Sequence, residues 1–586
     1  MPGRGIEMNL SEEGLKKKEE WESRGYELPK FDRAAMIKAT GENPVWVHFG
    51  AGNIFRAFHA EIAQRMLDKK ETGRGIIVAE GYDYEIVEKQ YRPHDNLSIL
   101  VTLCADGNIK KTVIGSIAES CILDSNDEEE YSRLKEVFTK ESLQLCTFTI
   151  TEKGYSLMDA KGELLPAVLS DFDAGPEKPQ SYLGKVVSLL YARFRAGEKP
   201  IAMVSTDNCS RNGEKLEKAV STFADEWVKR GCVEAGFAAY VKDESKVSFP
   251  WSMIDKITPR PDASVEEMLE KDGLAECTPV FTAKKTCIAP FVNAEETEYL
   301  VIEDKFPNGR PKLEKGGVLF TDRATVQKIE QMKVQTCLNP LHTLLAVFGC
   351  LLGYTRISKE MQDEDLSKAV RILGYKEGLP VVVNPGILDP KKFIDTVVNV
   401  RIPNPFMPDT PQRIATDTSQ KLSVRYGGTI RSYMAAEKAA CGCRTENAGD
   451  INASVPEDNK AKVTGAYMME AETSGVKNTL RVSSLRMIPL VEAGWIRYLI
   501  GIDDNGETFE LSPDPLMGEL KPFVRGLKVG EDNDLSKIDP LLHNSRIFGV
   551  DLFEAGLSDA VKEDLAKLLA GRGAVRKTLH EAVSEE

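Results

Sequence analysis

The segment KVQTCLNPLHTLLAVFGCLLGY (333–354) holds three side chains able to act on one oxygen atom. Asn339 followed by Pro340 reads as a helix start, because Asn suits the N-cap and Pro the first helical position. His342 falls three residues later on the same turn, and Lys333 precedes Asn339 by less than two turns. An amine, an amide and an imidazole converging at a helix N-terminus can bind a hydroxyl or carbonyl oxygen. A capping Asn, a surface Lys and a half-buried His fit the same letters. A second cluster, Ser205-Thr206-Asp207-Asn208 followed by Asn212-Gly213, ends an apolar run. Ligands of open α/β sheets sit beyond the carboxyl ends of strands, so Asn208 can reach one, or simply form a turn. A third, RIPNPFMPDTPQRIATDTSQK, carries Arg401, Asn404, Arg413 and Lys421. These suit an anion or polyhydroxyl ligand, or pairing with Asp409 and Asp417.

A cofactor site is suggested further upstream. VWVHF runs into Gly50-Ala51-Gly52-Asn53-Ile54-Phe55, where the first Gly permits a tight turn and the second lets a pyrophosphate approach the backbone. Phe55 stands where a third Gly is usual, which implies looser packing of helix on strand. Apolar residues at Ile54, Phe55, Phe58, Ile62 and Met66 then keep helical spacing, and GIIVAEGYD supplies a second strand. Strand, turn, helix and strand make a βαβ unit and imply a parallel sheet. Glu80, thirty residues after Gly50, sits where an acidic side chain accepts from the adenosine ribose and repels a 2′-phosphate. Asp83 is a rival for that role. The pattern favours NAD over NADP.

These elements need a large scaffold, and 586 residues suffice for two to four domains at roughly 100–200 residues each. Further apolar runs at 97–104, 143–150, 201–208 and 299–304 repeat the strand pattern, and from about Thr321 longer helices take over. We expect a polar leader at 1–43, a Rossmann-type domain with extra strands at 44–320, and a mainly α-helical domain at 321–586. A polar excursion occupies 435–480. Acidic residues outnumber basic ones 91 to 76, giving a net charge of −15, so neither nucleic acid nor an anionic membrane is expected as a partner. Eleven Cys without a CxxC imply reduced thiols, and Cys441-Gly-Cys443 lacks the partners of a metal site. The charged N-terminus lacks the apolar core of a signal peptide, and the apolar run Leu344–Leu352 is too short to span a bilayer. A soluble, cytoplasmic protein is expected.

Taken in order, several segments resemble the polyol-specific long-chain dehydrogenases, the mannitol dehydrogenase family. They are HFGAGNIFRAF, TITEKGY (149–155), STDNCSRNG (205–213), SMIDKITP (252–259), IEDKFPNGRP (302–311), the Lys…Asn-x-x-His stretch, RIATDTSQK (413–421) and GWIRYLIGIDDNG (494–506). The resemblance implies metal-independent, NAD-linked interconversion of a secondary alcohol and a ketone, with the active site in a cleft between two domains. It implies that Lys333 takes or returns the hydroxyl proton and that the Asn208 and Asn339 amides hold the reacting oxygen. His342 joins the catalytic group, while Asp255, Arg413 and Lys421 bind substrate. Gly50, Gly52, Asn53, Ile54 and Glu80 bind the cofactor, and no zinc is needed. An amine removed from water gives up its proton more readily, and oriented amides stabilise developing charge without metal.

Lys333 and Asn339 stand six residues apart where the family pattern has five, a difference that a one-residue bulge would absorb. Pro340 and Leu341 replace the small residues common between its Asn and His. The substrates implied are hexuronates (fructuronate/mannonate or tagaturonate/altronate), free polyols (mannitol/fructose) or mannitol 1-phosphate, with fructuronate/mannonate first, handled by a monomer or small homo-oligomer. A non-catalytic NAD-binding sensor is the reading from another class.

Overall fold

The computed structural model describes residues 8–440 and 480–584, so Cys441, Cys443 and nearly all of the 435–480 excursion lie outside the described residues. The chain divides into two compact units, Met1–Glu330 and Gln331–Glu586.

The first unit is built on a six-stranded parallel sheet. In chain order its strands are β1 (Trp46–Phe49), β2 (Ile76–Glu80), β3 (Ile117–Ile122), β4 (Leu145–Phe148), β5 (Ile201–Ser205) and β6 (Val247–Ser248). Their spatial order is β3-β2-β1-β4-β5-β6, the Rossmann order, with every pairing parallel. Both faces are buried, which is why the strands read as continuous apolar runs. Val47, Phe49, Ile77, Cys146 and Phe148 point to one core; Trp46, Ile76, Val78, Leu145 and Val204 point to the other. The first core is covered by helices Glu128–Thr139, Tyr182–Arg195 and Asn212–Lys229 through Leu134, Phe138, Val186, Phe223 and Trp227. The second is covered by the helix after β1, α1 (Ala60–Asp68), and by an accessory mixed sheet carrying Leu100, Ile114 and Val292.

The extra strands follow their own logic. The run at 97–104 turns back on itself through Asp106-Gly107 and pairs antiparallel with Ile109–Ile114, so it leaves the parallel sheet. The run at 299–304 likewise pairs antiparallel with Ser252–Asp255. The expected polar leader is corrected from Met8 onward. Trp21 and Tyr26 are buried, Tyr26–Glu27 pairs with the accessory sheet, and helix Arg33–Glu42 sends the Arg33 guanidinium to the carbonyl of Gly115 at 2.6 Å. Its few apolar residues are large and widely spaced, so composition masks their burial.

The second unit is helical. Helix α2 (Arg323–Met332), within which the division between the units falls, leads into α3 (Asn339–Leu351), whose residues from Thr343 to Leu351 are all buried. By length and composition the run Arg323–Leu351 is apolar enough to cross a membrane, yet 78% of its apolar window is buried in the fold. It reads as a core helix. Short helices α4 (Pro411–Ala415) and α5 (Leu422–Arg425) pack against α3 and the turn before it. Helix α6 (Met487–Tyr498) is buried all round, against α3 and Ser558–Leu569, as a central helix must be. Its N-terminus is capped from afar: the Glu377 carboxylate accepts the amides of Arg486, Met487 and Ile488 at 2.6, 2.6 and 3.0 Å.

Candidate functional site

The glycine turn after β1 has its two glycines for different reasons. Gly50 has φ +105°, and a Cβ there would collide with the Thr149 carbonyl. A Cβ on Gly52 would meet nothing within 4 Å. That open space lies at the start of the following helix, where the amides of Gly52, Asn53 and Ile54 have no intrahelical acceptor. These residues line a cavity of about 240 Å³ with Arg56, Ile86, Thr258, Thr286 and Ile288. Backbone donors beside room for an anion fit a dinucleotide pyrophosphate. Phe55, in place of the third glycine, is fully buried and stacks on His48 with ring centroids 4.3 Å apart. Its bulk is accommodated because Phe55–His59 form a π-turn before the α-helix proper. The looser packing expected there becomes a widened helical turn.

Glu80 ends β2, as the sequence suggests, but its carboxylate points back into the protein. One oxygen accepts the Ala51 amide at 2.8 Å; the other accepts the amides of Tyr82 and Asp83 at 2.7 and 3.0 Å. The rival Asp83 is also engaged, taking the hydroxyls of Thr282 and Thr286 at 2.7 and 2.5 Å. Glu80, for which the sequence suggests a ribose contact, thus holds the backbone of the turn between β1 and α1.

Three motifs interlock where the sheet ends. Asp207, next to Asn208, accepts the amides of Ile150 and Thr151 at 3.0 and 2.9 Å and the Tyr155 hydroxyl at 2.5 Å. TITEKGY is thereby fastened to STDN. Burial raises the carboxyl pKa of Asp207, against the lowering effect of those donors. Asn212 donates to the Asp207 carbonyl and to both the carbonyl and hydroxyl of Ser252, at 2.9–3.0 Å, while its own oxygen accepts the Ser252 and Gly213 amides. This ties the exposed Asn208 to the strand that ends at the buried Asp255. Tyr155 and Asn212 are the residues missed as anchors. Their presence inside the quoted motifs was the available signal.

In the helical unit, Lys333 is buried and opens a π-turn, Lys333–Cys337. The Leu338 amide donates to the Lys333 carbonyl at 3.1 Å, an i→i+5 bond. Asn339 is thus the first residue of α3 with Leu338 as cap, one position later than the N-cap expected of it, and Pro340 is second. Asn339 and His342 are half-buried. The Tyr426 hydroxyl donates to the Pro340 carbonyl at 2.8 Å, and Arg425 binds the Thr343 hydroxyl, so the RIATDTSQK segment and its continuation lock the start of α3. Arg413 is exposed and paired with Asp409, the pairing that the sequence left open. Lys421 donates to the carbonyls of Thr416 and Ile414, and burial followed by the nearby Arg425 lowers its pKa.

The chain matches two family descriptions, the mannitol dehydrogenase Rossmann domain over residues 45–315 and the mannitol dehydrogenase C-terminal domain over 325–464. It is 47% identical to the D-mannonate oxidoreductase of Thermotoga maritima, across 99% of this chain and 100% of that protein. Its fold is similar to that of a D-sorbitol dehydrogenase solved in substrate-free form, with TM-score 0.71 and 23% identity over 95% and 97% of the two chains. It is also similar in fold to Pseudomonas fluorescens mannitol 2-dehydrogenase, solved with NAD and D-mannitol, with TM-score 0.64 and 24% identity over 99% and 100%.

Proposed function

The chain belongs to the mannitol dehydrogenase family, and on that premise we propose an NAD-dependent, metal-independent oxidoreductase that interconverts D-fructuronate and D-mannonate. The full-length likeness to a D-mannonate oxidoreductase supports the substrate. The observation that carries the catalytic assignment is the π-turn at Lys333. It takes up one residue of the six-residue interval, which supports reading Lys333 and Asn339 as the pair that the family pattern sets five apart.

Gly52, Asn53 and Ile54 hold the cofactor pyrophosphate, with Gly50 and Glu80 shaping the turn. The bound dinucleotide supplies the acceptor for the hydride lost from the alcohol carbon, or the donor in the reverse direction. Lys333 Nζ takes the hydroxyl proton as the C–H bond breaks, and returns it during ketone reduction. Asn208 and Asn339 each donate an amide N–H to the reacting oxygen as negative charge builds on it. His342 fixes that oxygen's orientation, while Asp255, Arg413 and Lys421 bind the remaining hydroxyls and the carboxylate. In Arg413 this requires exchanging Asp409 for the substrate, since the guanidinium is now paired. We place the enzyme in the cytoplasm, as a monomer or small homo-oligomer.

The test is NADH oxidation by purified protein against fructuronate, tagaturonate and fructose in parallel, with NADPH and EDTA controls. Turnover on fructuronate, unaffected by EDTA, is expected. Turnover on fructose alone moves the substrate to the mannitol pair; no turnover with intact NADH binding favours a sensor.

A further inference from the structure

We infer that Glu80 and Tyr91 position the phosphate-binding turn, and that Glu80 does not read the adenosine ribose, so coenzyme preference is set by other residues. This rests on the dinucleotide reading above and extends it to what determines cofactor choice.

All four backbone polar groups of Gly50 and Ala51 are engaged by the protein itself. The Gly50 amide donates to the Ala79 carbonyl at 2.9 Å, and the Gly50 carbonyl accepts the Thr149 hydroxyl at 3.4 Å. The Ala51 amide donates to Glu80 at 2.8 Å, and the Ala51 carbonyl accepts the Tyr91 hydroxyl at 2.8 Å. Glu80 and Tyr91 are 5% and 1% exposed, so each is a fixed wall rather than a mobile contact. Rotating the Gly50–Ala51 peptide toward a ligand breaks the Ala51–Glu80 bond and leaves a buried carboxylate short of a donor. Outward-facing donors therefore begin at Gly52.

The Thr149 arm is itself set by a directed chain of hydrogen bonds. The Trp46 indole can only donate, and its partner is the Thr147 hydroxyl at 2.7 Å. That hydroxyl then donates to His48 Nδ1 at 2.7 Å, leaving His48 Nε2–H to donate to the Thr149 hydroxyl at 2.8 Å. Thr149 in turn donates to Gly50. Burial keeps His48 neutral, consistent with this single tautomer. The chain runs from the core of the sheet to the turn.

Three backbone amides already occupy the Glu80 carboxylate, and Glu80 is not among the residues that line the cavity beside Gly52. Its loss should loosen the turn for any dinucleotide, with or without a 2′-phosphate. A ribose-reading carboxylate behaves differently: its neutralisation weakens NADH binding and relieves repulsion of NADPH.

Fluorescence titration of the purified full-length chain with NADH and NADPH separates the two. Glu80→Gln should raise both dissociation constants by a similar factor, roughly tenfold, leaving their ratio within about twofold of wild type. Tyr91→Phe and Thr149→Val should shift both constants in parallel to a smaller extent, and Thr149→Ser should restore wild-type values. A Glu80→Gln protein that loses NADH affinity while keeping or gaining NADPH affinity overturns the inference. So do unchanged constants in Tyr91→Phe and Thr149→Val, which decide the matter if Glu80→Gln does not fold. Wild-type protein that binds neither nucleotide overturns the dinucleotide reading itself.

Discussion

The Leu338 amide donates to the carbonyl of Lys333 at 3.1 Å, five residues back, where an α-helix would bond four residues back. The extra residue belongs to a π-turn that sits between the lysine and the amide of Asn339. Such single-turn insertions lengthen a sequence interval without rotating the next helix by a full 100°, and they recur at functional sites. They also leave a wider turn for a side chain to occupy. Lys333 is buried in that turn.

Lys333→Ala is expected to lower kcat about 10²–10⁴-fold, the range for removing a general acid–base group, while NADH binds as before. Steady-state kinetics alongside fluorescence titration of NADH checks both halves. Retained turnover would reject Lys333 as the base.

Four hydrogen bonds of Asn212 join STDN to the strand beginning at Ser252, and it is 1% exposed. Asn212→Ala removes the acceptor of the buried Ser252 amide and one of the partners of the Ser252 hydroxyl and of the Asp207 carbonyl. A loss of roughly 2–4 kcal/mol is expected, read as a lower midpoint in urea unfolding. Since Asn208 and Asp255 are both tied to it, KM for the sugar should also rise.

How much of this was legible depends on whether a feature is local. The strands β1, β2, β4 and β5 and the turn between β1 and α1 stand in the sequence, because a strand buried on both faces must read as an unbroken apolar run. The sheet to which each further run belongs does not stand there. The segments at 97–104 and 299–304 look like β4 and β5, and partners distant from that sheet send them elsewhere. Glu80 shows the same limit within a site. Its position at the end of β2 is written in the chain, but the direction of its carboxylate depends on Ala51, distant in sequence. The six-residue interval after Lys333 signalled a bulge, and a bulge is present.

Glu360 is fully buried in the helical unit, and neither carboxyl oxygen has a hydrogen-bond partner among the described residues. Burial, with a smaller contribution from Asp363, pushes its pKa up to about 10. The folded state therefore favours the protonated form. Its ionisation penalty is absent below about pH 4.5 and grows progressively as pH rises toward 10. Glu360→Gln removes the titration. It should stabilise the protein by roughly 3 kcal/mol at pH 7 and change little at pH 4, as measured by urea unfolding at both values. Equal effects at the two pH values would show that Glu360 is ionised in the fold.

Gly50 and Gly52 make opposite predictions although they stand two residues apart. At Gly50, φ is +105° and a Cβ would strike the Thr149 carbonyl, so Gly50→Ala must distort the end of β1. It should cost roughly 2–4 kcal/mol of stability and weaken NADH binding as a consequence. At Gly52 the backbone has ordinary φ and a Cβ meets nothing within 4 Å. Gly52→Ala should therefore unfold at the wild-type midpoint, within about 0.5 kcal/mol. Its methyl group would occupy the space assigned to the pyrophosphate, so NADH affinity should fall by about tenfold or more. Thermal unfolding and NADH titration of the two variants separate stability from binding. If Gly52→Ala binds NADH normally, the phosphates lie elsewhere than on the amides of Gly52, Asn53 and Ile54.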